Sequence, residues 1–259
     1  MGAMSKVVIT IPCYNEARRF RGDAVLALLD DPQVHAVLAD DGSTDGTRAI
    51  LSELKDRAPD RVDVLVSPVN HGKGETVRRG LLRGLDAEAT AVGYLDADLS
   101  TPPAELLRLV RALDACGADA VLGSRVAMLG TRIRRRAPRH YAGRVFATLA
   151  SVVLRAPVYD TQCGAKVFRA NGDLRAALQE PFHSRWAFDV ELLGRLMTLN
   201  ETRGRPRAAS LLEMPLQCWT ETPGSSLRFP SMLQATAELL LLPAHLRAFR
   251  QRVDDHRSR

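Results

Sequence analysis

The chain has 259 residues, 46% apolar and 25% charged, with Lys+Arg exceeding Asp+Glu by 36 to 30. That composition supplies a well-buried core and excludes a disordered, collagen-like or disulfide-dense small scaffold. The positive charge is carried mostly by arginine, which suits phosphates and anionic surfaces; no nucleic-acid-binding motif accompanies it, so nucleic acid is not an expected partner.

Met1-Gly2-Ala3 ahead of Met4 reads as a cloning remnant, which puts the expected natural start at Met4 with no secretory signal peptide. Lys6–Ile11 is a β-branched run of strand length and ends on Pro12-Cys13-Tyr14-Asn15-Glu16. A helix is predicted over Arg18–Leu29, then a short strand at His35–Ala39 that runs into Asp40-Asp41-Gly42-Ser43-Thr44-Asp45-Gly46. Ser43 or Asp45 can cap the helix that follows, Thr47–Leu54. Val62–Ser67 is a third strand, Gly74–Leu85 a helix entered through a Gly-flanked loop, and Ala91–Leu95 a fourth strand leading into Asp96-Ala97-Asp98. Thr101-Pro102-Pro103 opens the next helix, whose apolar stripe is Leu106, Leu109, Val110 and Leu113. Ala120–Gly123 is a fifth strand.

Strands alternating with helices predict an α/β fold built on a mostly parallel central sheet flanked by helices. Ligands bind such sheets beyond the carboxyl ends of the strands, and the polar clusters here follow strands one, two and four, so they converge on one rim. No linker interrupts the second half. A single domain is expected over 4–230, with a donor-binding half at about 4–125, an acceptor half at about 126–230, and a C-terminal amphipathic helix and basic tail at 231–259. The apolar run ending at Leu242 meets Pro243 well short of the ~20 residues of a spanning helix. Cys13, Cys116, Cys163 and Cys218 lack metal-ligand spacing and are expected as reduced thiols in a cytoplasmic protein.

Asp96-Ala97-Asp98 is the strongest chemical signal. Two carboxylates on a turn after a buried strand can hold Mg²⁺ or Mn²⁺ and leave coordination positions for phosphate oxygens. The same tripeptide also serves as a plain polar turn, so context decides. Pro12-Cys13-Tyr14-Asn15-Glu16, Asp40 through Gly46, Asn70-His71-Gly72-Lys73-Gly74 and Asp96-Ala97-Asp98 occur in the order shown by the family-2 glycosyltransferases, which the first ~130 residues resemble. The resemblance implies the GT-A (nucleotide-diphospho-sugar transferase) fold. By it Pro12, Tyr14 and Glu16 line the base and ribose pocket, Asp40 meets the uracil ring, and Asp96 and Asp98 serve the ribose and the metal-diphosphate. Asp41 is expected to bond loop amides. Lys73 and its glycine-rich loop would supply a cation and amides near the phosphates, and Arg125 would face the same region.

Tyr159-Asp160-Thr161-Gln162-Cys163-Gly164-Ala165-Lys166-Val167-Phe168, with Arg185-Trp186-Ala187-Phe188-Asp189-Val190-Glu191-Leu192, is similar to the polyprenyl-phosphate glycosyltransferases, especially the dolichyl-phosphate β-glucosyltransferase group. That likeness covers most of residues 6–230. It implies an inverting enzyme that uses a UDP-sugar, UDP-glucose first, and a lipid phosphate oxygen as nucleophile. A phosphate acceptor is already anionic, so it needs positioning and charge screening more than deprotonation. Arg125, Lys166 and the cluster Arg132, Arg134, Arg135, Arg136 and Arg139 are candidates to hold it. Asp160 is the candidate base or acceptor-orienting carboxylate, with Asp189 second; Glu191 is expected to pair with a cation and Trp186 to lie under the site.

His140–Ala156 places Tyr141, Val145, Phe146, Leu149, Val152 and Val153 at helical spacing between arginines, the pattern of a helix that either packs on the core or lies at a bilayer surface. Met232–Phe249, with Leu233, Ala237, Leu240 and Leu241, is similar and also suits a homodimer helix. The eukaryotic group carries an N-terminal anchor and many bacterial relatives have C-terminal spanning helices; this sequence shows neither. Peripheral contact with the inner membrane surface through 132–156, or a small soluble acceptor such as a glycan or metabolite, are the two expectations that follow. A sugar nucleotidyltransferase would instead need a Gly-rich, Arg-Lys loop after the first strand, where Pro-Cys-Tyr-Asn-Glu stands.

Overall fold

A computed structural model describes residues 6–134, 137–222 and 229–257, without the side chains of 137–140, 142, 229–233 and 256–257. Expectations placed on Arg135, Arg136, Arg139 and Leu233 therefore lie outside the described residues. Strand β1 (Val7–Cys13) is almost wholly buried, with Val7, Ile9, Ile11 and Cys13 on one sheet face and Val8 on the other. Alternation between two apolar faces is the mark of a strand covered on both sides. A short helix α1 (Gly22–Leu26) continues as a 3₁₀ turn to Asp30, so the helix predicted over Arg18–Leu29 is shorter and broken. Arg18 and Arg19 belong to the loop before it, where Arg19 N and Phe20 N both donate to Glu16 O.

Next come β2 (Val34–Asp40), α2 (Thr47–Arg57), β3 (Val62–Val66), α3 (Lys73–Asp86), β4 (Ala91–Leu95), α4 (Pro103–Ala115) and β5 (Ala120–Ser124). Asp45 starts α2: its Oδ1 accepts from Thr47 N at 2.9 Å, while Ser43 Oγ accepts from Asn15 N. The later elements are β6 (Arg132–Arg134), α5 (Ala137–Leu154), β7 (Ala165–Arg169), α6 (Gly172–Leu178), α7 (Phe188–Thr202), β8 (Leu211–Pro215), β9 (Cys218–Thr220) and α8 (Phe229–Arg257).

The seven-stranded sheet has the order β3-β2-β1-β4-β7-β5-β8, and β6 and β9 form a separate parallel pair. Strands β1 to β5 and β8 run one way; β7 runs against β4 and β5, with Leu95 opposite Ala165 and Leu122 opposite Lys166. The chain order reverses between β1 and β4, which opens a crevice at their carboxyl ends. Because β7 is reversed, its beginning rather than its end reaches that rim.

Helices α1, α2 and α4 cover one face through Val25, Leu51, Leu54, Leu106 and Leu113. Helices α3, α6 and α7 cover the other through Val77, Leu81, Leu174, Phe188 and Leu192. Helix α7 is buried from Phe188 to Asn200 because α5 and α8 enclose its outer side with Ala150, Leu154, Leu239, Leu242 and Leu246. In α8 the buried Ala235, Leu239, Leu242, Leu246 and Phe249 recur every three or four residues, the period of a helix with one core face. No described helix is long and apolar enough to cross a membrane.

Close packing of α3 on β1 has a specific requirement: a Cβ on Gly80 would overlap Thr10 Cγ2. Gly80→Ala should therefore lower stability by about 1–3 kcal/mol through overpacking. Gly172→Ala, with nothing within 4 Å of the added carbon, should leave it unchanged. Urea midpoints for the two variants check this, and equal midpoints would contradict the packing described.

Candidate active site

Four loops meet at the rim. After β1, Asn15 takes a left-handed backbone (φ 54), its N–H donates to Ser43 Oγ at 3.0 Å, and its Oδ1 accepts from Thr44 N at 2.9 Å. A non-glycine residue there is uncommon, and the bonds to the β2 loop hold it in place. Glu16 N donates to Thr47 Oγ1 at 2.7 Å, which leaves the Glu16 carboxylate to bind the Arg19 guanidinium, with one oxygen 2.6 Å from Nη2. Tyr14 is exposed beside these residues.

Asp40 ends β2 with its carboxylate enclosed: Oδ1 accepts from Ser43 N at 3.2 Å and Oδ2 from Arg48 Nη2 at 3.2 Å. A direct uracil contact requires the half-exposed Arg48 side chain to swing aside. Asp41 bonds loop amides, accepting from His71 N and Gly72 N at 2.8 Å each. This corrects one sequence expectation: the amides at 71 and 72 serve Asp41 and are not free for phosphates. Gly72 has φ 95, which turns the loop into α3, and a Cβ there would crowd the Arg185 side chain at 3.0 Å. Arg185 Nη2 in turn donates to Asn70 Oδ1 at 2.7 Å, so the second-half motif touches the first-half loop.

Asp96 begins the turn after β4. Its N–H donates to Gly164 O at 2.8 Å, and a Cβ on Gly164 would occupy the space of the Asp96 carboxyl carbon. Asp96 Oδ1 is shut off from water, accepts no well-directed hydrogen bond, and lies 2.6 Å from Lys73 Nζ. Burial disfavours charge on Lys73, but Asp96, Asp189 and Asp98 outweigh it and hold the ammonium above the ordinary lysine value. Asp98 Oδ1 accepts from Ser100 N at 3.0 Å, Leu99 is left-handed (φ 49), and Thr222 Oγ1 donates to Asp98 O at 3.2 Å. The segment after β9 thus clamps this turn.

The other side of the rim is built from internal ion pairs. Arg125, at the end of β5, binds Asp160 through Nε at 2.7 Å, Nη2 at 2.8 Å and its own N–H at 3.0 Å, and it stacks 5.3 Å from the Trp219 ring. Asp160 N and Tyr159 N donate to Glu213. The sequence assigned Lys166 to phosphate. Its ammonium instead lies behind β7, 1% exposed, and all three protons go to Tyr94 Oη (2.8 Å), Cys163 O (2.6 Å) and Asp189 Oδ1 (2.8 Å). A lysine so enclosed positions its neighbours and has no proton left for a ligand. Burial and then the Asp189 charge raise the Tyr94 phenol well above its usual value, and Tyr94 donates to the same Asp189 oxygen. Glu191 pairs with buried Arg195, as expected, and accepts from His183 N and Ser184 N. Trp186 is half-buried, and its N–H donates to Glu238 of α8 at 2.8 Å.

Sequence reasoning missed Arg19, Tyr94, Trp219, Glu213 and Glu238. Arg19 carried a usable signal, three residues after Glu16, and a lone hydroxyl in the buried run Ala91–Leu95 marked Tyr94. Cys13 and Cys163 are free and buried, and burial first, then the Asp160 charge, pushes the Cys163 thiol up to about 11. A second groove, at the opposite ends of the strands, is lined by Lys6, His35, Lys55, Arg61, Asp63 and Arg83; Lys55 and Arg83 already pair with Asp63.

The chain is similar to known proteins in sequence and in fold. Residues 8–173 match the profile of glycosyl transferase family 2. Polyprenol monophosphomannose synthase of Mycolicibacterium smegmatis is 31% identical over 190 residues, 73% of this chain and 71% of that one. Dolichyl-phosphate beta-glucosyltransferase of Dictyostelium discoideum is 26% identical over 248 residues, 90% of this chain and 72% of that one. Glucosyl-3-phosphoglycerate synthase of Mycobacterium tuberculosis, solved with Mn²⁺, UDP and glucosyl-3-phosphoglycerate, superimposes with a TM-score of 0.61 at 20% identity, over 93% of this chain and 80% of that one, which shows the shared GT-A fold. By profile, by relatives and by rim, the chain belongs to glycosyl transferase family 2 and is a hexosyltransferase that uses a nucleotide sugar.

Proposed function

We propose that this enzyme is an inverting transferase that moves a hexose, glucose first, from a UDP-sugar to a polyprenyl phosphate. One observation carries the reading: at the switch point, Asp96 and Asp98 stand beside Lys73 and the Glu16–Arg19 pair, a mixed-charge rim suited to a metal-bridged diphosphate. The carboxylates fit Mg²⁺ or Mn²⁺. Both supply hard oxygen donors, Asp96 Oδ1 is buried with the Lys73 ammonium beside it, and Gly164 leaves space for that carboxylate. A bound ion would neutralise charge developing on the departing diphosphate. A fold neighbour holding Mn²⁺ and UDP, and two relatives named for a polyprenol and a dolichyl phosphate, support donor and acceptor class respectively.

Pro12, Tyr14 and Glu16 form the wall for base and ribose, and Asp40 supports that wall through Ser43 and Arg48. Lys73 and Arg19 face the phosphates. On the acceptor side an anionic phosphate oxygen attacks the anomeric carbon while the bond to the diphosphate breaks and its electron pair leaves with UDP. Such a nucleophile needs no proton removed. Asp160, held by three donors of Arg125, orients that guanidinium and the acceptor; it is not the base in this assignment. Asp189, fixed by Lys166 and Tyr94, holds the start of α7 against the Lys73 loop. Arg132 and Arg134 are exposed on β6 and screen the incoming phosphate.

Helix α5 buries Ala147, Ala150 and Leu154 and exposes Tyr141, Val145 and Val152, a stripe that we assign to peripheral contact with a bilayer surface. The soluble alternative, transfer to a small phosphate or hydroxyl acceptor, is favoured by one observation: a fold neighbour was solved with UDP-glucose and phosphoglyceric acid.

A panel of UDP- and GDP-sugars against polyprenyl phosphate and soluble acceptors separates these readings. Labelling of the lipid phosphate by UDP-glucose with Mg²⁺ or Mn²⁺, lost in EDTA, is expected; labelling of soluble acceptors alone would remove the lipid assignment. Asp98→Asn should cut turnover on the order of 100-fold or more with an unchanged circular dichroism spectrum. Gly164→Ala, which forces Asp96 aside, should weaken UDP binding in the presence of Mn²⁺ by roughly tenfold, a loss of about 1.4 kcal/mol readable by calorimetry.

A further inference from the structure

Lys73 is held where it can act on one carboxylate. It is the first residue of α3, between Gly72 in a left-handed turn and Gly74, whose added Cβ would stand 2.8 Å from Phe188 Cβ. Its ammonium is 5.9 Å from the Phe188 ring centre and 2.6 Å from Asp96 Oδ1, and that oxygen accepts no other hydrogen bond. The contact is reversible by construction: the lysine side chain is 41% exposed and the aspartate 31%, so neither is locked in the core.

Two further observations give the contact a consequence. Among the described residues no group of three His, Cys, Asp or Glu side chains is placed to hold a metal, so Asp96 and Asp98 would meet a cation without a third such side chain beside them. Lys73 already neutralises one of these, and Arg19, paired with Glu16, lies within electrostatic reach of both. Three carboxylates against two cations leave the cluster with a single negative charge. A divalent ion alone would reverse the sign of the cluster, and a dianionic diphosphate alone would triple its negative charge. The two together leave it unchanged.

We propose that Lys73 is a resident counter-ion for Asp96, displaced only when the divalent cation arrives with the nucleotide diphosphate. Metal and donor then bind as a coupled pair, and the rim does not load free cation. On displacement the ammonium turns to the phosphate oxygens that come with the ion. This rests on the metal-diphosphate reading of the rim and adds the order of loading to it. Coupling of this kind is reciprocal, so UDP must raise Mn²⁺ affinity by the factor by which Mn²⁺ raises UDP affinity.

The test is Mn²⁺ binding followed by electron paramagnetic resonance, with and without UDP, in the wild type, Lys73→Met and Lys73→Gln, after correction for Mn²⁺ bound by UDP in solution. The wild type should bind free Mn²⁺ at least tenfold more weakly than Mn²⁺ with UDP. Both variants should bind free Mn²⁺ roughly tenfold more tightly than the wild type, and their enhancement by UDP should shrink by a similar factor. Variants that bind Mn²⁺ with UDP but bind free Mn²⁺ no more tightly than the wild type overturn the counter-ion role alone. A wild type that binds no Mn²⁺ even with UDP overturns the metal-diphosphate reading itself.

Discussion

The pairing of β4 with the reversed strand β7 sets the geometry of the rim. Asp96 N continues that ladder by donating to Gly164 O, one step beyond the Leu95–Ala165 pair. A parallel neighbour would have put its carboxyl end, with a different loop, beside Asp96. The reversed strand instead presents its entry, Gln162-Cys163-Gly164, where a residue without a side chain meets the carboxylate. The same entry carries Asp160, which reaches across to Arg125, the residue that follows β5. The Asp96 and Arg125 sides of the rim are therefore joined through one strand, and its direction is the constraint on which both depend.

Around that strand, buried charge is matched by buried charge. Lys166 with Asp189, Arg195 with Glu191 and Arg125 with Asp160 are each enclosed, and each cation also meets a backbone carbonyl, a hydroxyl or an aromatic ring. Such pairs contribute little net stability, because desolvation offsets much of their attraction, whereas removing one partner leaves a costly uncompensated charge. Their value is geometric: they fix loop backbones that apolar packing alone would leave in several arrangements. Arg195 illustrates this, donating to the carbonyls of Ala177, Glu180 and Pro181 and so setting the loop that leads to Arg185.

Most of the first half of the fold was legible in the sequence because its strands are short β-branched runs bounded by polar turns, and the four motifs lie at their ends. Their convergence on one rim followed from strand direction alone. The reversed strand was not legible: Ala165–Arg169 has no turn signal that distinguishes antiparallel from parallel pairing. Helix α7 was missed for a related reason. It is buried on all sides, so it shows no polar face and no period. Side-chain roles were read correctly at Asp41, where local sequence sets the turn. They were misjudged at Lys166, where the partner strand and Tyr94 decide which way the side chain goes. Lys166 and Arg125 looked alike as basic residues near a phosphate site; only tertiary packing shows that both are already paired.

Helix α8 closes the structure in a way that reaches the rim. Glu238 accepts from the N–H groups of Trp186 and Ala187, the free donors at the start of α7, and no side chain of α7 itself caps that end. The carboxylate that finishes this helix start lies 52 positions beyond Trp186 in the chain. Without the Glu238 carboxylate these two N–H groups lose their acceptor, so the entry to α7 depends on a helix formed from later sequence.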